Sequence, residues 1–104
     1  MNNVRVIVSF ELKKEDIDFS IEYLKEFVRL TNNNPGCIIS EFWRDNANEN
    51  HFYFIELWKD KNAVIEHVQS DYFKEYAPFF AYNFDDLHVR QMTTIPISTT
   101  NPLK

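Results

Sequence analysis

The sequence predicts an α+β fold with the ferredoxin-like order βαββαβ. Three observations carry that reading. Four stretches either alternate with a period of two or run densely apolar and aromatic, as strands do: Val4–Leu12, Cys37–Arg44, His51–Trp58 and Leu87–Ile95. Two segments, one from Glu15 and one after Asp60, change to helical spacing. The third observation is their order, because one helix follows the first strand and another precedes the last, around a central hairpin. Right-handed crossovers then place both helices on one side of the sheet.

Val4, Val6, Val8, Phe10 and Leu12 alternate with Arg5, Ile7, Ser9 and Glu11, the pattern of a strand rich in β-branched residues. From Glu15, Ile17, Ile21, Leu24 and Val28 recur at helical intervals with Phe27 and Thr31 alongside, while Glu22, Lys25, Glu26 and Arg29 take the opposite face. Glu15 and Asp16 sit at the positive end of that helix. It stops in Asn32–Gly36, because proline disfavours helix in the residue before it and glycine tolerates positive φ. Gly36 is the only glycine in the chain. The second strand, the polar loop Asp45–Asn50 and the third strand then read as a hairpin. Asp60 caps a second helix through about Gln69, and Ser70 caps another short one interrupted at Pro78. Ser98–Lys104 reads as a loosely held tail.

The chain has 104 residues, 44% of them hydrophobic and 16% aromatic, enough for one core and one domain. Its net charge of −5 and the lack of a cationic cluster beyond Lys13-Lys14 argue against nucleic acid as a partner. Cys37 is the only cysteine, so neither a disulfide within the chain nor a thiolate zinc site is available, and a reducing cytoplasm suits it. With no apolar run long enough for a bilayer, the sequence reads as that of a soluble cytoplasmic protein. No two histidines have ligand spacing, His51 and His88 show no obvious partners, and no glycine-rich loop exists, so neither a metal nor a nucleotide is expected.

The third strand is apolar on both faces, with Phe52, Phe54 and Trp58 on one and Tyr53, Ile55 and Leu57 on the other, and Ile7 stands opposite the valines of the first strand. A sheet face open to water would carry polar residues there. A second copy covering that face, a homodimer with its sheets packed into a barrel, resolves the mismatch.

Chemistry-bearing residues gather between Phe52 and Phe80. Glu56 and Trp58 share a strand face with Phe54 and point toward the helices. Together they form either a slot for a planar aromatic or ordinary core, and a desolvated Glu56 would titrate high. His67 on the second helix, beside Val64 and Val68, is a candidate proton acceptor or a helix anchor. Phe73, Tyr76 and Phe80 belong to an aromatic belt, some of which is expected to rim a pocket.

The turn Asn34-Pro35-Gly36-Cys37, the Glu-x-Trp-x-Asp of Glu56, Trp58 and Asp60, and the His-x-x-Ser-x-x-Phe of His67, Ser70 and Phe73 resemble, in that order, the antibiotic biosynthesis monooxygenase (ABM) family of small dimeric α/β barrels. The resemblance spans roughly Val4–Ile95 and implies an ABM-like domain over residues 1–97. It further implies a cofactor-independent monooxygenase that oxidises a small aromatic quinol or polyphenol with molecular oxygen. His67 and Glu56 would be its catalytic residues, and Trp58, Phe54, Phe73, Tyr76 and Phe80 its substrate contacts. Haem-degrading relatives carry an axial histidine where this chain has Tyr76 or Ala77, so haem is not implied. A non-catalytic small-molecule binder, or an isomerase of a small oxygenated metabolite, stays open as the alternative, since fold alone does not decide function.

Overall fold

The computed structural model describes residues 2–97, and the tail Ser98–Lys104 lies outside the described residues. The chain forms β1 (Val4–Leu12), a 3-10 turn (Lys14–Asp16), α1 (Ile17–Asn32), β2 (Cys37–Arg44), β3 (His51–Trp58), α2 (Lys61–Gln69), α3 (Asp71–Asn83) and β4 (Phe84–Thr93). The strands make one antiparallel sheet in the order β2-β3-β1-β4, the ferredoxin-like arrangement. Among the described residues no helix is long and apolar enough to cross a membrane.

Register decides what each face carries. Val6 lies opposite Glu56 and Val8 opposite Phe54 across β1–β3, while Val8 faces Val89 and Val6 faces Gln91 across β1–β4. Alternate β3 residues Phe52, Phe54, Glu56 and Trp58 are all buried beneath the helices. The other face carries Ile7, Ile39, Trp43, Ile55 and Met92, of which Trp43 is 53% exposed. On α1 the buried stripe is Ser20, Leu24, Phe27 and Thr31, while Ile17, Ile21 and Val28 are half-buried at its margin. Phe27 becomes the hub, its ring 5.5 Å from Phe54 and 4.9 Å from Phe80. Each such fully buried side chain contributes about 1.5–3 kcal/mol.

Both expected helix caps are made: Asp60 accepts from the Ala63 amide at 2.8 Å and Ser70 from the Phe73 amide at 3.2 Å. Three local expectations are corrected. Gly36 does not take a positive φ; a β-carbon there would lie 2.6 Å from Ala63 Cβ, so glycine is needed for the close seating of α2. Pro78 does not end its helix, because α3 continues to Asn83 with aromatic packing on both sides of the proline. Strand β4 begins at Phe84 and ends at Thr93, since a bulge at Asp86 and Leu87 disguises the alternation at its start.

Candidate active site

A cavity of about 200 Å³ lies between the sheet and the helical layer. Its floor is Val6 and Val8 of β1, Phe54 and Glu56 of β3, and Leu87, Val89 and Gln91 of β4. Its roof is Phe27 of α1, Val64, His67 and Val68 of α2, and Phe73 and Phe80 of α3. Leu87 and Val89 are each 48% exposed, so the chamber opens along the edge strand β4. Of the expected site residues, His67, Glu56, Phe54, Phe73 and Phe80 line this one cavity. Trp58 and Tyr76 lie elsewhere: Trp58 is wholly buried behind Glu56, and Tyr76 packs into the core against Tyr23 and Phe27.

Trp58 still acts on the chamber through hydrogen bonding. Its indole Nε1 donates to Glu56 Oε1 at 2.8 Å, and its ring lies 4.5 Å from that of His67. Glu56 is 3% exposed, and burial pushes its carboxyl from 4.5 to about 7, with the indole bond pulling weakly the other way. Oε2 has no hydrogen-bond partner among the described residues. A carboxyl with that affinity for protons can take one and return it near neutral pH.

The imidazole in the roof is reached by a chain of hydrogen bonds that begins at the Pro-Gly turn. The Gly36 amide donates to Asn34 Oδ1 at 2.9 Å, which orients the Asn34 amide so that Nδ2 donates to Tyr72 OH at 3.2 Å. The Tyr72 hydroxyl lies 2.6 Å from His67 Nδ1, within hydrogen-bond distance. Burial raises the Tyr72 pKa, which keeps the phenol protonated, and lowers that of His67 from 6.5 to about 4. His67 is therefore neutral near pH 7. Ser70 fixes the helix end beneath it, its hydroxyl donating to the His67 carbonyl at 2.6 Å.

Tyr72 and Asn34 had no place among the expected site residues, nor did the β4 residues that form the opening. Period-two alternation along β4 was signal enough for Leu87 and Val89. Nothing local to Tyr72 or Asn34 announces their bond, because it joins positions 38 residues apart.

The profile of the family described as antibiotic biosynthesis monooxygenase (ABM) matches residues 3–78. An uncharacterized protein of Synechocystis, sll1783, is 34% identical over 64 residues, covering 62% of this chain. That match covers 42% of the relative, so the chain spans less than half the length of the curated protein it matches. Among solved structures, an antibiotic biosynthesis monooxygenase is 29% identical with a TM-score of 0.82, covering 89% of this chain and 99% of its own. A conserved protein of Methanosarcina mazei Go1 is 25% identical with a TM-score of 0.82, covering 88% and 92%. With the profile running from the first strand to the middle of α3, this chain belongs to the antibiotic biosynthesis monooxygenase family.

Proposed function

We propose that the chamber oxidises a small one-ring quinol or polyphenol with molecular oxygen, using neither metal nor organic cofactor. The observation that carries this reading is a carboxyl titrating near neutrality and a neutral imidazole facing one apolar space. A cavity of about 150 Å³ is known to hold benzene, so about 200 Å³ suits a single substituted ring. Phe54, Phe73 and Phe80 supply apolar walls for its faces and edges.

Glu56 removes a proton from the ring hydroxyl, and the electron-rich aryl oxide passes an electron to oxygen. With Nδ1 accepting from Tyr72, His67 would carry its proton on Nε2 and donate it to the oxygen on which negative charge develops, a preorganised contact in a site of low polarity. One oxygen atom enters the ring and the other leaves as water, so that a hydroquinone and O₂ give a hydroxyquinone and water. The substrate supplies all four electrons.

Oxygen uptake with simple hydroquinones tests this. Glu56→Gln, nearly isosteric, is expected to lower kcat by about 10²–10⁴-fold. The wild-type rate is expected to rise with pH through about 7 as Glu56 ionises. A chamber that binds these quinols without consuming oxygen, at any pH, would instead be that of a non-catalytic binder.

A further inference from the structure

On the sheet face opposite the chamber, metal-ligating atoms from three strands converge. Glu11, His51 and Asp86 each offer one ligand atom, all within 4.8 Å of one another. Glu11 and His51 are partners across β1–β3, which puts both on the open face. Asp86 arrives by the bulge: Ser9 pairs with His88 and Glu11 with Asp85, leaving Asp86 and Leu87 against the single residue Phe10. Among the described residues Asp86 is the only non-glycine with positive φ, at 49°, a conformation glycine takes freely and a side chain only at a cost. Strain at this one position aims a carboxylate toward the imidazole.

The imidazole is oriented to receive an ion. His51 Nε2 lies 2.6 Å from Ser9 Oγ, while Nδ1 lies 3.5 Å from Glu11 Oε2. Donation of Nε2–H to the serine would leave the Nδ1 lone pair facing the carboxylates. Metal-bound histidines are held in this way, one nitrogen on the ion and the other on an oxygen acceptor. A tetrahedral Zn²⁺ with bonds of about 2.0–2.2 Å spaces its ligand atoms about 3.3–3.6 Å apart, which the His51–Glu11 separation already matches. Asn48 Nδ2 reaches Glu11 Oε2 at 3.4 Å and His88 Nε2 reaches Asp86 Oδ1 at 3.1 Å, each steadying one carboxylate.

We propose that Glu11, His51 and Asp86 bind a divalent transition-metal ion of the Zn²⁺ type, with Ser9 positioning the imidazole. One imidazole and two carboxylates suit such an ion better than Mg²⁺, which prefers oxygen alone. The site is separate from the oxidation chemistry, on the other side of the sheet from Glu56 and His67, and does not depend on it.

Calorimetric titration of ZnCl₂ into the chelator-stripped full chain, with MgCl₂ as the control, tests the proposal. One Zn²⁺ per chain is expected, and His51→Ala or Glu11→Gln is expected to weaken binding by about 10-fold or more. Ser9→Ala is expected to weaken it by about 10–100-fold, as loss of an outer partner does. Asp86→Gly separates ligand from scaffold: glycine fits the backbone, so the variant melts no lower than wild type while losing the ion to the same degree. No saturable Zn²⁺ uptake by the wild type, or uptake unchanged in both His51→Ala and Asp86→Gly, would overturn the proposal. His51 would then be only a hydrogen-bond partner of Ser9.

Discussion

Glu56 and His67 are displaced in opposite senses by the same cause, and stability should register both. Burial raises Glu56 from 4.5 to about 7, so the folded chain holds a proton there that the unfolded chain has lost. Stability from that group is full below pH 4.5 and is lost as pH rises to about 7, an effect of about 3 kcal/mol. His67 falls from 6.5 to about 4, so its contribution is full above pH 6.5 and is lost on acidification toward 4, again by about 3 kcal/mol. Between pH 4.5 and 6.5 the two slopes oppose and largely cancel. Urea unfolding across that window is expected to show Glu56→Gln losing stability as pH falls, with the His67 slope uncovered. His67→Gln is expected to lose stability as pH rises. Parallel pH curves for wild type and both variants would show that neither group is desolvated as described. The pair also shows why roles are harder to infer than places. Period-two spacing turned Glu56 toward the helices and helical spacing set His67 beside Val64 and Val68, but which of them accepts a proton depends on burial and on the partners each finds.

At the level of elements, the turn between α1 and β2 couples packing to the site. A methyl group at position 36 would meet Ala63 Cβ at 2.6 Å, so Gly36→Ala must push α2 away from the turn. That overpacking is expected to cost about 1–3 kcal/mol, read as a lower Tm. Ala63→Gly in the same chain should restore most of it, and a double variant as unstable as Gly36→Ala would rule the contact out as the cause. Strands β1, β2 and β3 were legible to the residue, because unbroken alternation or aromatic density and clear turn residues bound them. Strand β4 and α3 were not, for physical reasons on both sides. Asp85 and Asp86 carry turn propensity into a strand that β1 recruits by hydrogen bonding, and Pro78 interrupts a helix held by its aromatic neighbours. The buried stripe on α1 was off-centre for a related reason, since Phe27 and Thr31 face the sheet more squarely than Ile17 and Val28.

For the whole molecule, the open sheet face remains the largest mismatch between side chain and solvent. Ile39, Trp43 and Met92 are 41%, 53% and 42% exposed there, beside half-buried Ile7, Ile55 and Leu57. Two copies pairing through this face would remove it from water, and Ile55, between Ile7 and Glu41 in the register, lies near its middle. Sedimentation is expected to give twice the mass of one chain for the wild type and a single chain for Ile55→Asp. A wild type that sediments as one chain at all concentrations would leave the face uncovered and remove the pairing. The chamber lies on the other side of the sheet, with a mouth of Leu87 and Val89. Leu87 and Val89 carry no charge, so an uncharged ring meeting them is not steered by a field. Its capture would follow from water's rejection of apolar surface, and the encounter rate would stay indifferent to ionic strength.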